Sequence, residues 1–253
     1  MTAWSAVVLA GSRHGGPEPV AAYAGVPHKA LIRLTGETLL ARVHAALTVA
    51  GAGRIAVVSS HPDVRAEAAR LGAEILDEAS GPSLSVKAAA VALGPPLLIT
   101  TADHPLLQPD WVTAFLAQVP ADADVAALAV RREAVEAAVP GAQRTWIHLA
   151  DGDWKGCNLF WLANARALGV VDLWRRVEAE RKHPLRMARM LGPAILLRYA
   201  TGRLRLEDAA RRLGQMAGAR AAIVETPHGL ASVDVDKPAD LDLVRRIVGE
   251  TPG

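Results

Sequence analysis

Over residues 1–131, short apolar runs alternate with amphipathic stretches. Residues 6–9 form an unbroken apolar run stopped by Gly11, the pattern of a buried strand that feeds a loop. In 38–49, Leu39, Leu40, Val43, Ala46 and Leu47 recur at helical spacing, and Gly51 supplies the stop. Further strands are expected at 54–59, 73–76, 96–101 and 124–130. Helices are expected at 63–71, 84–93 and 109–118, the last opened by Pro109 in its first turn. The run 96–101 shows no polar alternation, which places that strand centrally. Strands that alternate with helices predict an α/β fold with a doubly wound, mostly parallel sheet. In such sheets ligands sit beyond the carboxyl ends of the strands.

The pattern loosens after residue 140. Residues 145–150 and 157–162 flank Asp151-Gly152-Asp153, a turn sequence, so a β-hairpin is expected. Residues 171–191 read as one long basic helix, breakable near Pro184, and 206–216 as another helix. Strands at 221–225 and 230–235 precede a closing helix at 238–248. There is no internal repeat or low-complexity segment. The expectation is a single domain over 1–253, with 140–218 an α-rich insertion or lid within it.

Composition narrows the classes. The 253 residues are 51% hydrophobic, enough for one sizeable core. A mean hydropathy of +0.19 raises the question of a membrane span, yet no stretch approaches the roughly 18 apolar residues a spanning helix needs. The first residues lack the basic start of a signal peptide. With 28 basic against 26 acidic side chains, the net charge of +2 excludes a nucleic-acid binder that works by bulk charge. The single cysteine, Cys157, excludes an internal disulfide framework and a cysteine-built zinc site, and fits a cytoplasmic protein. Five lysines stand out in an arginine-rich chain: Lys29, Lys87, Lys155, Lys182 and Lys237. The segment 185–206 mixes apolar residues with five arginines. It could lie peripherally on an anionic membrane or close as a lid over a site.

Four constellations could carry chemistry. Leu9-Ala10-Gly11-Ser12-Arg13-His14-Gly15-Gly16 follows the first strand. Glycines let backbone N–H groups approach an anion, and Arg13 adds a bidentate phosphate contact; a flexible surface loop is the other reading. The spacing matches neither a P-loop nor a dinucleotide fingerprint. Lys29 can place a point charge on a phosphate or stand solvated at a strand end. Asp103 lies just beyond the central strand, where a carboxylate is a natural Mg²⁺ ligand, or alternatively caps the turn before Pro105. In Asp234-Val235-Asp236-Lys237-Pro238, capping alone would explain Asp236. Only one of Asp234 and Asp236 is expected to face the same metal as Asp103.

These four segments, in this order and spacing, resemble the MobA-like nucleotidyltransferases, typified by the molybdenum cofactor guanylyltransferase. The resemblance rests on Leu9-Ala10-Gly11 with Arg13 and Gly16, on Lys29-Ala30-Leu31, and on Thr101-Ala102-Asp103-His104-Pro105. It is completed by Asp234-Val235-Asp236-Lys237-Pro238-Ala239-Asp240-Leu241. It covers about 1–131 and 220–248. Departures are the displaced Arg13 and late glycines of the first loop, and Lys237 where the family usually has Thr. The resemblance implies a Rossmann-like fold of the nucleotide-diphospho-sugar transferase type. It implies Mg²⁺-dependent transfer of a nucleoside monophosphate from an NTP to a phosphorylated small-molecule acceptor, with release of pyrophosphate. It implies Leu9, Ala10, Gly11, Ser12 and Arg13 at the triphosphate and Lys29 at the α-phosphate. Gly81, Ser83 and Ser85 would lie at base and ribose, and Asp103 with Asp236 or Asp234 at Mg²⁺. Arg13, Lys29 and Asp103 would be the catalytic set. An anionic acceptor under 140–218 would meet Arg144, Lys155, Asn158, Arg181, Lys182 and Arg186. The alternatives are a metal-dependent glycosyltransferase that uses a nucleotide sugar, which needs no triphosphate cradle, and a catalytically silent nucleotide-binding module.

Overall fold

The computed structural model describes residues 3–11, 18–141, 144–180 and 192–250. In chain order the first half contains β1 (Ser5–Leu9), α1 (Pro19–Tyr23), β2 (Arg33–Leu34), β3 (Glu37–Thr38), α2 (Leu39–Val49), β4 (Arg54–Val58) and α3 (Pro62–Arg70). These are followed by β5 (Glu74–Leu76), α4 (Pro82–Leu93), β6 (Leu97–Thr101), α5 (Pro109–Gln118), β7 (Val125–Arg131) and α6 (Arg132–Ala138). The second half adds β8 (Ile147–Leu149), β9 (Gly152–Leu162), α7 (Leu168–Glu180), α8 (Pro193–Ala200), α9 (Leu206–Met216), β10 (Ala221–Thr226) and α10 (Pro238–Ile247).

The main sheet runs β10-β7-β9-β6-β1-β4-β5, with β8 paired to β9. All neighbouring pairs on the main path are parallel except those of β9, which is antiparallel to both β6 and β7. The fold is therefore the Rossmann-like, mostly parallel α/β arrangement that the alternation of patterns predicts. β6 is flanked on both sides and its Leu97, Leu98 and Thr100 are all but inaccessible, as expected of a central strand without polar alternation.

Alternate strand residues feed two cores. Ala6, Val8 and Leu98 pack with Val43 and Leu47 of α2 and Val112 and Phe115 of α5 on one face. Val7, Leu97 and Ile99 pack with Val86 and Ala89 of α4 and Val171 of α7 on the other. Local signals set the helix ends: Thr38 Oγ1 accepts the Ala41 N–H at 3.0 Å to start α2, and Pro occupies the first turns of α4, α5 and α10.

The hairpin around Asp151 forms as β8 and β9, and β9 is far longer than expected because it is an interior strand. The interval 140–218 thus contributes both a central strand and helices. The strand expected at 230–235 does not form. Gly229–Ser232 is a 3-10 turn, and Val233 and Val235 are both buried in a third core patch with Ile32, Leu34, Leu39 and Leu241. Their apolarity reflects burial against α2 and α10, not pairing in a ladder. The long helix expected at 171–191 is described as far as Glu180, and 181–191 lie outside the described residues. In the segment 185–206, α8 has no buried residue and leaves Leu197 and Tyr199 exposed; 185–191 lie outside the described residues. Among the described residues no helix is long and apolar enough to cross a membrane.

Candidate active site

The site begins where β1 and β6 stop. These strands pair in parallel with Leu9 opposite Thr101, and beyond the last pair Ala102 N–H still donates to Leu9 O at 2.9 Å. Ala10 N–H donates to Val58 O at 2.9 Å. Three strands therefore release their chains side by side, and Gly11 and Asp103 emerge at the wall of one cleft of about 760 Å³. A Cβ on Gly11 would stand 2.6 Å from Glu78 Cδ, so this glycine lets the Glu78 carboxylate lie against the loop.

Lys29 opens a 3-10 turn, Lys29–Leu31, that lays its side chain across the mouth of β6. The turn is anchored twice: His28 Nδ1 accepts the Ala30 N–H at 3.1 Å, and Glu18 Oε2 accepts the Lys29 N–H at 3.0 Å. Lys29 Nζ then donates to Asp103 Oδ2 at 2.5 Å and to Asp236 Oδ1 at 2.8 Å. The Lys29 and Asp103 side chains are only 16% and 12% exposed, so this charge arrangement is largely desolvated. Burial by itself would lower the Lys29 pKa, but the two carboxylates outweigh it and hold the ammonium above its ordinary range. Asp103 is fixed from behind, since its carbonyl accepts the Val235 N–H at 2.9 Å.

A second polar group stands beside the first. Lys155 Nζ lies 3.5 Å from Asp234 Oδ1, and Asn158 Nδ2 donates to Asp234 Oδ2 at 3.4 Å. Asn158 occupies a left-handed backbone conformation, φ +49°, which Asn tolerates better than most residues. It stands where the register of β9 against β7 shifts. Such an irregularity re-aims a side chain, here into the cleft. Cys157 beside it is buried, and burial pushes its thiol up to about 12.

The structure brings together Leu9, Ala10, Gly11, Lys29, Gly81, Ser85, Asp103, Asn158, Asp234 and Asp236 around the cleft. Asp234 and Asp236 both line it, against the expectation that only one would: residues two apart share one side of an extended segment, just as Val233 and Val235 share its buried side. Ser85 Oγ accepts the Ala79 N–H at 3.0 Å and so shapes the loop ahead of α4. Ser83 is buried away from the cleft wall. Arg144, expected at the acceptor, instead forms an ion pair with Asp240 at 2.5 Å and does not line the cleft. Ser12, Arg13, Arg181, Lys182 and Arg186 lie outside the described residues.

Glu18, His28 and Glu78 also line the cleft and escape the motif reading. Glu78 follows β5 and could have been found from its place beyond a strand's carboxyl end. His28 is kept below its ordinary pKa, chiefly by burial. With Nδ1 accepting, a neutral ring carries its proton on Nε2, which is buried without a partner. Nothing local in the sequence foretells that.

The acidic segment owes its position to Gly229. The turn Gly229–Ser232 presses on α6, where a Cβ on Gly229 would stand 2.7 Å from the Ala134 carbonyl carbon and 2.8 Å from Val135 Cα. Only a residue without a side chain brings the chain this close before it reaches Asp234 and Asp236.

Among the described residues no three acidic, His or Cys side chains converge as in an all-protein metal cage. The site holds instead a pair of carboxylates, Asp103 and Asp236, and Asp103 Oδ1 is buried with no hydrogen-bond partner. Mg²⁺ is ordinarily held by one or two carboxylates plus substrate phosphates, so this donor set fits it.

Comparison with known proteins gives the family. The family described as the MobA-like NTP transferase domain matches residues 6–205. A hypothetical transferase from Thermus thermophilus is 32% identical, with a TM-score of 0.80 over 95% of this chain and 100% of its own. A nucleotidyl transferase from Methanothermobacter is 20% identical, with a TM-score of 0.59 over 98% of each chain. A CMP:2-keto-3-deoxy-manno-octonic acid synthetase, solved with CTP, is 18% identical, with a TM-score of 0.56 over 98% of this chain and 99% of its own; these last two likenesses show the fold. No curated protein matches the chain.

Proposed function

Because the chain belongs to the MobA-like NTP transferase family and is a nucleotidyltransferase, we propose that it moves a nucleoside monophosphate from an NTP to a phosphorylated small-molecule acceptor and releases pyrophosphate. The observation that carries this reading is the Lys29 ammonium shared by Asp103 and Asp236 at the mouth of a cleft built on the ends of β1 and β6. The glycosyltransferase alternative falls with the family.

In the proposed reaction an acceptor phosphate oxygen bonds to the α-phosphorus. The α–β bridging P–O bond breaks, and its electron pair leaves with pyrophosphate. A dianionic acceptor phosphate brings its own nucleophile, so no side chain has to remove a proton. Lys29 offers its ammonium to the α-phosphate, and the backbone at Ala10 and Gly11, continued by Ser12 and Arg13, cradles the phosphates beyond it. Mg²⁺, held by Asp103 and Asp236, would neutralise charge on the triphosphate. Asp236 is preferred to Asp234 because it shares Lys29 with Asp103, while Asp234 is engaged by Lys155 and Asn158. Those last two groups, with Arg181, Lys182 and Arg186, form the proposed acceptor side. The N–H donors of Lys155 and Asn158 meet an incoming anion where they now meet the Asp234 carboxylate.

Pyrophosphate release measured with each NTP and Mg²⁺ across sugar, polyol and alcohol phosphates tests this. One NTP is expected to turn over, and Lys29→Met or Asp103→Asn to lower kcat on the order of 100-fold or more. No turnover with any NTP, together with unchanged nucleotide binding in Lys29→Ala and Asp103→Ala, would overturn it.

A further inference from the structure

Arg144 is the most deeply buried arginine side chain among the described ion pairs, 9% exposed, and it spends that burial on one partner. Its Nη1 donates to Asp240 Oδ1 at 2.5 Å, while Nε and Nη2 are buried without any partner. A buried ion pair left partly unsatisfied is a poor way to add stability, since desolvation offsets most of the attraction. What the pair does provide is position. The other oxygen of Asp240 accepts the Lys237 N–H at 3.0 Å and the Asp236 N–H at 3.3 Å. Asp240 is therefore at once the first-turn cap of α10 and the clamp on the backbone that carries the Asp236 carboxylate. From Arg144 an unbroken series of polar contacts runs through Asp240, the 236–237 backbone, Asp236 and Lys29 to Asp103.

We propose that Arg144 is a positioning residue: through Asp240 it holds the 236–237 backbone so that the Asp236 carboxylate faces Asp103 across Lys29. This rests on the proposed function for what Asp236 does, though not for the contacts themselves. Capping of α10 needs Asp240 alone, and Asp240 alone would be free to swing with the end of the helix. Arg144 belongs to the stretch between α6 and β8 in sequence, so its guanidinium ties that carboxylate to a second segment of the chain, outside α10.

The test uses Arg144→Ala and Arg144→Lys in the full chain. Mn²⁺ is titrated by its electron paramagnetic resonance in the presence of the α,β-methylene analogues of ATP, CTP, GTP and UTP in turn. Amide hydrogen exchange at Asp236 and Lys237 is followed in the metal-free protein. Arg144→Ala is expected to weaken Mn²⁺ binding about tenfold, to lower kcat with little change in the KM for NTP, and to speed exchange at both amides while β10 stays protected. Added methylguanidine is expected to restore part of the Mn²⁺ affinity, which a loss of general stability would not show. Wild-type Mn²⁺ affinity or unchanged exchange at those amides would overturn the proposal. If Arg144→Ala does not fold, Arg144→Lys decides on the same readouts. If the wild type binds no Mn²⁺ with any of the four analogues, the functional reading fails, and the exchange rates alone decide the role of Arg144.

Discussion

Gly229→Ala places one methyl group between two backbones that have no side chain to move aside. The added carbon would stand 2.7 Å from the Ala134 carbonyl carbon and 2.8 Å from Val135 Cα. Ordinary carbon contacts begin near 3.5 Å, so the 3-10 turn and α6 must separate by roughly 1 Å. Overpacking of this kind costs about 1–3 kcal/mol, and the upper end is expected because both obstacles are main chain. The turn leads into Asp234 and Asp236, so the displacement reaches the cleft, and misplacing a reacting group by about 1 Å can cost about 100-fold in rate. Urea unfolding is expected to show a midpoint lowered by about 1 M, from a slope of about 1–3 kcal/mol per M, and pyrophosphate release to fall in parallel. Gly156→Ala, where an added methyl meets nothing within 4 Å, is the control and should leave both unchanged. A Gly229→Ala protein with wild-type midpoint and turnover would refute the claim that this contact places the acidic segment.

Asn158→Gly keeps the left-handed backbone and removes the amide, so the midpoint should hold while the acceptor KM rises about tenfold, the worth of one hydrogen bond; an unchanged KM would remove Asn158 from the acceptor side. The Arg70 guanidinium beside Glu67, with Thr38, holds its carboxyl down at about 2. The stability it contributes is present above the ordinary value of 4.5 and fades as pH falls from there toward 2. Arg70 is 63% exposed and screened, so Glu67→Gln should cost only about 1 kcal/mol at pH 7, and nothing measurable near pH 2 by urea unfolding. Cys157, buried and pushed up to about 12, should resist a thiol reagent at pH 8 in the native protein and react at once in denaturant; equal rates would contradict its burial.

Much of the site was legible because its residues sit at strand ends. The apolar run 96–101 announces a central strand, and Asp103 two residues beyond it has few places to go except the mouth of the sheet. Lys29 is visible only jointly with Asp103, because neither segment alone separates a ligand from a solvated side chain. The segment 230–235 reads as a strand because buried valines look alike whether a ladder or a third core patch covers them, and Asp234 and Asp236, two residues apart, share a side in either case. Arg144 and His28 were opaque for a deeper reason. Their roles depend on which groups they meet across the fold, Asp240 in one case and the absence of any Nε2 partner in the other. Composition and spacing carry no trace of either.

The antiparallel strand β9 has a consequence for how the chain is assembled. β1, β4, β5 and β6 are complete once residue 101 has been made, whereas β7 is joined to them only through β9, which ends at Leu162. Until then β6 presents an open edge of unpaired backbone groups, the kind of surface on which chains stick to one another. The nascent protein must carry that edge while some sixty further residues are added. A nascent-chain series stopped before and after residue 162 should pass from chaperone-bound to released at that point, and the whole cleft waits on the same event, because Asn158 and Lys155 arrive with the strand that closes the sheet.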